Sequence, residues 1–240
     1  MLAYEQLKKK PRKLLALTGL TVKEFETIMP AFERAYVRAY PVDKTRAGKQ
    51  RKRKAGGGRK GTLPSIEQKL LFVLVYQKTY PVQTLLGEVF ELSQSRANEW
   101  LHVLLPLLKE ALDELGVLPE RVPQQFAEHA QSQHASADYI IDGTERRRQR
   151  PKNPEKQRQH YSGKKKAHSD KNLVISHTRT KRVDYLGQTH PGKTHDKKLV
   201  DSELIAYPPN TMLRKDTGFQ GYEPSGCRTQ QPKKSRATLS

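Results

Sequence analysis

The sequence predicts an α+β chain, in which a helical N-terminal half precedes a smaller α/β half of β-β-β-α-β order. Before residue 113, apolar residues recur at three- and four-residue intervals, which is the period of an amphipathic helix. From Asp138 onward, short apolar runs separated by basic loops indicate strands instead. Only 35% of the 240 residues are hydrophobic, so the chain has core material for one or two modest domains.

The charge of the chain indicates its class of partner. There are 45 Lys and Arg against 25 Asp and Glu, a formal net charge of +20, and such a cationic surface binds a phosphate backbone by releasing counterions. Nucleic acid is therefore the expected ligand. The one cysteine, Cys227, excludes an internal disulfide and a multi-thiolate zinc site, and the histidine spacing does not indicate zinc either.

The sequence gives no sign of a membrane partner. No apolar run reaches the roughly 18 to 20 residues of a membrane span, and the N-terminus lacks the apolar segment of a secretory signal. We expect an intracellular protein, cytoplasmic and associated with the nucleoid.

The N-terminal segment, residues 1–43, contains one predicted amphipathic helix. Thr21 and Glu24 have the spacing of a capping box, and apolar side chains then recur on one face up to Ala39. Residues 44–62 form a basic, Gly-rich linker with nine Lys or Arg between positions 44 and 60. This linker is either a solvated tether or an arm that follows phosphates. In the second interpretation, its DNA-binding residues are Arg51, Lys52, Arg53 and Lys54.

Residues 63–112 have the pattern of three successive helices. Ser65 marks the first start, a short helix covers about residues 82–90, and a longer helix runs from near Ser93 to about residue 108. The last helix leaves polar residues outward near its N-terminus, where a helix-turn-helix recognition helix meets base edges. The alternative is a small helical bundle without a ligand. The residues predicted to contact DNA are Gln94, Ser95, Arg96 and Asn98.

Residues 113–137 are polar and contain two prolines, and we expect a connector between domains there. The second domain covers residues 138–224. Its strand-like runs are at positions 139–141, 172–176, 182–186 and 211–213, with a helix at about 194–205. Residues 225–240 have no helical stripe, and we expect a disordered basic tail.

Two aspartates are predicted to stand at the ends of strands. Asp142 follows the first run and Asp216 follows the fourth. A carboxylate at the tip of a buried strand is rigidly held yet reaches solvent, and two such tips on neighbouring strands can hold divalent cations. Hard oxygen ligands favour Mg²⁺ or Mn²⁺, and two ions about 4 Å apart stabilise an in-line phosphodiester displacement. The alternative is that each aspartate forms a turn or caps a helix.

Four sequence blocks, in order, carry a family resemblance: Asp142-Gly-Thr-Glu145, Tyr161-Ser-Gly-Lys-Lys-Lys166, Pro191-Gly-Lys-Thr-His-Asp196 and Asp216-Thr-Gly-Phe-Gln-Gly221. With the helical region before them, they resemble the DDE-type transposases of small bacterial insertion sequences, specifically the fifth numbered family and its relatives. The resemblance implies a ribonuclease-H-like catalytic domain in which Asp142 and Asp216 are the first two acids and bind the metal. The implied supporting residues are Thr144, His195 and Asp196, and the lysines expected to neutralise DNA phosphates are Lys164, Lys165 and Lys166.

The resemblance also implies a third acid, a Glu on a helix well beyond the second Asp. Only 24 residues follow Asp216, and Glu223 is the sole acidic residue among them. Because Glu223 is only seven positions away, it is a poor substitute. We therefore expect a truncated or frame-disrupted product with an incomplete catalytic domain, inactive alone.

Three functions are open on the sequence. The first is a transposase that binds terminal inverted repeats and target DNA, cleaves and transfers strands with Mg²⁺ or Mn²⁺, and forms a homodimer or larger assembly when it synapses two ends. The second is a non-catalytic DNA-binding remnant or regulator derived from a transposase. The third is an RNA-binding protein of ribosomal type, against which the ordered blocks argue.

Overall fold

The structure is a computed structural model, which describes residues 2–44, 49–52 and 61–232. The chain divides into two compact units, Met1–Leu118 and Pro119–Ser240, which we call the helical unit and the sheet unit. The predicted fold class, a helical region followed by an α/β domain, is confirmed. Within the described ranges, no helix is long and apolar enough to cross a membrane.

The described part of the helical unit contains six α-helices. They are α1 (Tyr4–Lys8), α2 (Pro11–Thr18), α3 (Val22–Ala39), α4 (Ile66–Thr79), α5 (Gln83–Phe90) and α6 (Gln94–Glu114). The predicted amphipathic helix is α3, and the predicted three-helix pattern is α4 to α6. Helices α1 and α2 were not predicted, because helices this short give little periodic signal. Helix α6 is longer than predicted because Ala111 continues its buried face.

Side-chain caps fix where the three longest helices begin. The Thr21 hydroxyl accepts from the Glu24 amide, and the Glu24 carboxylate accepts from the Thr21 amide at 2.7 Å, which confirms the predicted capping box. Ser65 caps α4 and Ser93 caps α6 in the same way, each accepting from the amide three residues on. These caps satisfy amides that the first turn of a helix leaves without partners.

One apolar core joins the helices of this unit. Helix α4 lies at its centre, since residues 68–75 are buried without interruption. The Gln68 side chain hydrogen-bonds the backbone of Leu2 and Tyr4, which attaches the N-terminus to α4. The predicted segment 1–43 is therefore packed into the same folded unit as the three-helix pattern.

The described part of the sheet unit contains six strands and three α-helices. They are α7 (Phe126–Gln133), β1 (Asp138–Arg147), α8 (Pro154–His160), β2 (Tyr161–Ser162), β3 (Ala167–His177), β4 (Val183–Pro191), α9 (Asp196–Glu203), β5 (Thr211–Lys215) and β6 (Cys227–Gln230). The predicted order of three strands, a helix and a strand corresponds to β1, β3, β4, α9 and β5. The predicted basic loop between the first two strands contains α8 and β2. These two elements were not predicted, because the many charged residues of this segment leave no apolar pattern.

The sheet is mixed. Strand β3 lies between β1 and β4 and is antiparallel to both, whereas β5 is parallel to β1 and β6 is parallel to β5. The antiparallel pairing of β1 with β3 continues to Arg147. The parallel pairing of β1 with β5 stops much earlier, at Ile141 opposite Lys215. Asp142 therefore lies inside β1, not at its end as predicted. It is the first residue of β1 beyond the pairing with β5.

Two predicted segments are ordered differently. The predicted connector, residues 113–137, includes α7, whose Phe126 is buried with its ring centroid 5.4 Å from that of Tyr139 and 5.7 Å from that of Tyr185. Part of the predicted disordered tail forms β6, because β5 offers it a parallel edge to pair with. Residues 233–240 of that tail lie outside the described residues.

A buried polar cluster holds the end of α7 against the sheet. The rings of His134 and His177 stack with centroids 3.9 Å apart, and His134 Nε2 lies 2.7 Å from an oxygen of the fully buried Asp184. Arg182 Nε lies 3.5 Å from the other oxygen, and Tyr139 meets His177 edge-on. Burial lowers the pKa of His177 below its ordinary value of 6.5, and the neighbouring His134 lowers it further.

This pKa shift predicts that the sheet unit loses stability in mild acid. Below pH 6.5, the unfolded chain binds a proton at His177 that the folded chain does not. The free energy of unfolding therefore decreases as the pH decreases, by at most about 1.4 kcal/mol per pH unit for one proton. Amide hydrogen exchange in β1 and β3 between pH 7.5 and 5.5 measures it. The control His102→Gln, at an exposed position of α6, should leave the slope unchanged. A slope of zero in the unaltered protein would contradict the prediction.

Candidate active site

The parallel pairing of β1 with β5 places Asp142 and Asp216 side by side. Ile141 lies opposite Lys215, so the next residue on each chain segment is one of the two aspartates. Adjacent strands are about 4.8 Å apart. Ile141 and Lys215 are buried, and because side chains alternate along a strand, both aspartates extend from the other face, where they are exposed. The pairing of β1 with β5 thus brings together two acids that are far apart in the sequence.

Backbone amides hold each carboxylate by one oxygen. Asp142 Oδ1 accepts from the Gly143 amide at 2.8 Å, and Asp216 Oδ1 accepts from the Gly218 amide at 2.8 Å. Asp216 therefore caps the short 3-10 turn Thr217–Phe219, as the structural alternative to metal binding predicted. The cap does not exclude a ligand role, because Oδ2 of both aspartates has no hydrogen-bond partner in the described part of the chain.

A third carboxylate, that of Asp196, lies against the backbone next to both acids. A Cβ on Gly143 would lie 2.7 Å from Asp196 Oδ1, and a Cβ on Gly218 would lie 2.5 Å from Asp196 Oδ2. Only glycine leaves room at either position. Lys171 on β3 balances this carboxylate, since its Nζ lies 3.0 Å from Asp196 Oδ1 and 3.0 Å from the Thr194 carbonyl oxygen. Asp196, at the start of α9, therefore packs closely against Gly143 and Gly218, which follow the two acids.

The two predicted acids line one open pocket of about 710 Å³. Its floor is the face of the sheet opposite the apolar core, where Ile140 is 38% exposed. Arg214 also lines the pocket and binds Asp138 Oδ2 at 3.1 Å. The pocket therefore combines two carboxylates with a cation on one open face of the sheet.

Glu223 does not join the acid pair. Its carboxylate accepts from Lys215 Nζ and from the Thr229 hydroxyl, and these hydrogen bonds hold the pKa of Glu223 below its usual value. The Lys215 ammonium is buried on the core face, away from Asp216. Among the described residues, no group of three or more His, Cys, Asp or Glu side chains has an arrangement that could hold a metal ion.

The other residues expected to support the site have different positions. Thr144 lies two residues beyond Asp142 on β1, opposite Asn172 of β3. His195 is the N-cap of α9, and its Nδ1 accepts from the Lys197 amide at 3.3 Å. The cap role of His195 is what orients Asp196 as the first residue of the helix.

The residues predicted to contact DNA lie at the N-terminus of α6. Gln94, Ser95 and Arg96 are exposed and Asn98 is half-buried. Arg96 is bound to Glu99 on the same helix, with its Nη1 2.6 Å from Glu99 Oε2. The polar face predicted for a recognition helix therefore exists, but its one arginine is already paired.

The predicted basic segments are only partly described. Arg51 and Lys52 are exposed, and Arg51 Nε donates to the Lys44 carbonyl oxygen at 2.7 Å. Arg53 and Lys54 lie outside the described residues. In the sheet unit, the lysines predicted to meet phosphates are exposed in the turn that follows β2, namely Lys164, Lys165 and Lys166.

Two residues at these sites could not be predicted from the sequence. Lys171 pairs with Asp196, and nothing in its sequence neighbourhood separates it from the other lysines of a basic chain. Gln83, the first residue of α5, hydrogen-bonds two of the predicted DNA-contacting residues. A polar residue at the start of a helix is not part of the apolar pattern from which the helix is predicted.

A helix-turn-helix arrangement followed by a mixed α/β domain with converging carboxylates defines a class of DNA-binding, nuclease-type proteins. Comparison with protein families agrees: residues 61–114 match the helix-turn-helix of DDE superfamily endonuclease, and residues 141–240 match the DDE superfamily endonuclease itself. The two matches cover more than half of the chain in the expected order, and the chain belongs to a DDE-type transposase family. No curated protein and no solved structure matches it in these comparisons.

Proposed function

We propose that this chain binds the ends of a DNA element through its helical unit and cleaves phosphodiester bonds at the Asp142 and Asp216 pair. The observation that carries the proposal is the register of β1 and β5, which sets the two aspartates side by side in one pocket. The matches to the DDE superfamily endonuclease and its helix-turn-helix support both halves of the proposal.

The donor set suits a hard divalent cation, and DDE superfamily endonucleases generally use divalent metals. Asp142 and Asp216 each offer an oxygen, Oδ2, that no described residue hydrogen-bonds. Two carboxylates are sufficient for Mg²⁺ or Mn²⁺, because Mg²⁺ retains waters and takes substrate phosphates in its remaining positions. Such ions, when bound, activate water as a nucleophile and neutralise the charge of the attacked phosphate.

In this proposal, different residues of the chain bind the cations, support the site and neutralise the DNA phosphates. Asp142 and Asp216 would hold the cations, and Asp196, balanced by Lys171, packs against the glycines beside both. Exposed lysines after β2 neutralise phosphates of the bound DNA. Strand transfer and the synapsis of two ends require at least two copies, so we propose a homodimer or larger assembly on double-stranded DNA within the nucleoid.

A second function, a non-catalytic DNA-binding regulator derived from a transposase, is favoured by a different observation. Within the described ranges, no third acidic, histidine or cysteine side chain completes a metal-holding group. Asp196 is next to the pair, but Lys171 neutralises it, and Lys215 and Thr229 hold Glu223. A protein with these features would retain DNA binding while cutting slowly or not at all.

Nicking of DNA separates the two functions. Supercoiled plasmid carrying the element ends is incubated with the protein and with Mg²⁺ or Mn²⁺. The sequence predicts a chain that is inactive alone, whereas the proposed cleavage at the acid pair predicts end-specific nicking in the unaltered protein and none in Asp142→Ala. Retention of the plasmid ends without nicking would identify the non-catalytic regulator, and a preference for double-stranded RNA over DNA ends would overturn both functions.

A further inference from the structure

Three amide side chains form a hydrogen-bonded chain across the α5 and α6 helices. Gln94 Nε2 donates to Gln83 Oε1 at 2.5 Å, and Gln83 Nε2 donates to Asn98 Oδ1 at 2.8 Å. Gln83 is the first residue of α5 and Gln94 is the first residue of α6. We call these three residues the amide relay. Gln94 is its exposed end, whereas Gln83 and Asn98 are half-buried.

Hydrogen bonds in the turn between α5 and α6 hold the two helix starts in place. The Leu92 amide donates to the Gly87 carbonyl oxygen at 2.9 Å, and Ser93 caps α6 by accepting from the Arg96 amide. These bonds fix the turn between the two helices, so the distance from Gln83 to Gln94 does not depend on the side chains alone. A flexible glutamine is thereby held in one orientation, which saves part of the rotamer entropy that a long polar side chain loses on binding.

The orientation leaves a defined pair of groups facing outward. A glutamine amide has two N–H donors and one oxygen acceptor. One N–H of Gln94 is used by Gln83, which leaves its other N–H donor and its Oε1 acceptor without a hydrogen-bond partner among the described residues. In the major groove, adenine presents the matching pair, an N7 acceptor beside an N6 amino donor, and glutamine pairs with it through both groups.

The neighbouring charged residue disfavours the other purine. Guanine presents two acceptors, N7 and O6, which arginine or lysine reads. The arginine of this face, Arg96, is bound to Glu99, and Glu99 repels phosphates and base acceptors alike. The exposed end of α6 is therefore suited to adenine more than to guanine.

We propose that Gln94 reads an adenine of the DNA element ends through N7 and N6, and that Gln83 is the positioning residue that sets the orientation of Gln94. The proposal rests on the proposed DNA-binding function, which the match of residues 61–114 to a helix-turn-helix supports. Asn98 completes the relay by accepting from Gln83, so that the Gln83 oxygen faces Gln94.

The test uses the full chain and a pool of randomised duplexes. The sequence selected by the unaltered protein is remade with 7-deazaadenine, which lacks the N7 acceptor, at each adenine in turn. We expect one position where this replacement weakens binding about 5- to 150-fold, as the loss of a bidentate contact does. In Gln94→Ala the same replacement should have no effect. Gln6→Ala, which removes an exposed amide from α1, is the matched control and should bind like the unaltered protein.

Gln83 is tested by the selectivity for adenine over the other bases, not by affinity alone. Gln83→Ala should lose this selectivity at the same position while keeping the thermal midpoint of the helical unit within a few degrees. Gln83→Glu keeps an oxygen that accepts from Gln94, and it should restore the selectivity even if added negative charge weakens overall binding.

Each other outcome is decisive. Selection of a sequence with no position sensitive to 7-deazaadenine, or full selectivity in Gln83→Ala, or none in Gln83→Glu, would overturn the amide relay and leave the proposed function standing. Failure of the unaltered protein to select any DNA sequence would overturn the proposed function together with the relay.

Discussion

Replacing Asp216 by asparagine is expected to lower end-specific nicking about 100- to 1,000-fold, the usual effect of removing one electrostatic group from an active site. The substitution is nearly isosteric. Its Oδ1 can still accept from the Gly218 amide, so the 3-10 turn after β5 should persist. The second oxygen is replaced by an amide NH2 group, which carries no negative charge and cannot bind a divalent cation. The rate of conversion of supercoiled to open-circular plasmid measures the effect.

The matched control is Asp170→Asn, at a half-exposed aspartate that pairs with Arg148 outside the acid pair. It should nick at close to the unaltered rate. Asp216→Cys sharpens the test, because a thiolate is a softer ligand and accepts Mn²⁺ more readily than Mg²⁺. We expect Asp216→Cys to be inactive in Mg²⁺ and partly active in Mn²⁺. Equal activity of Asp216→Asn and the unaltered protein would show that the pocket is not the cleavage site.

Gly87→Ala is expected to destabilise the helical unit by about 2 kcal/mol, within the usual range for overpacking. Alanine is normally the better residue inside a helix, by about 1 kcal/mol. Here, however, the added Cβ would lie 2.5 Å from the Leu92 carbonyl oxygen, in the turn that leads into α6. A backbone oxygen in a tight turn cannot move aside as a flexible side chain would. Steric repulsion therefore exceeds the gain in helix propensity.

Trp100 is the one tryptophan of the chain and lies in α6, so its fluorescence during urea unfolding reports the helical unit. The same variant should lose specific DNA binding, because a displaced turn moves Gln94 relative to Gln83. Gly61→Ala is the control, since, chain neighbours aside, no heavy atom of the described residues lies within 4 Å of the Cβ it would add. An increase in stability for Gly87→Ala would mean that the turn relaxes without cost.

Local signals in the sequence were sufficient for the helical unit. The capping residues Thr21, Ser65 and Ser93 mark the helix starts that the structure has, because a cap is a contact between residues three apart. The end of α6 was predicted too early, because its buried face continues past the predicted boundary to Ala111. The polar N-terminus of α6 could also be predicted, but not the partner that orients Gln94, which comes from another helix.

The sheet unit depended more on contacts between distant residues. β1 extends beyond Asp142 because β3, some 30 residues later, pairs with it to Arg147. β6 forms at a segment whose composition indicates disorder, because β5 has an edge to pair with. The ordered motif blocks pointed to Asp142 and Asp216, whose catalytic role stays a prediction. The same blocks contained Asp196, but not its contact with Gly143 and Gly218.

By itself, the sequence determined the charge of the protein, the period of its longer helices and the order of β1, β3, β4, α9 and β5, and its motif blocks singled out Asp142 and Asp216 as candidate acids. These are properties of residue type and of short-range spacing, which the chain carries before it folds. Only the tertiary structure decided that Ile141 lies opposite Lys215, that Lys171 balances Asp196 and that Gln83 orients Gln94. Each of these joins residues at least 11 positions apart, and a hydrogen bond or strand register between such residues exists only once packing has fixed both backbones.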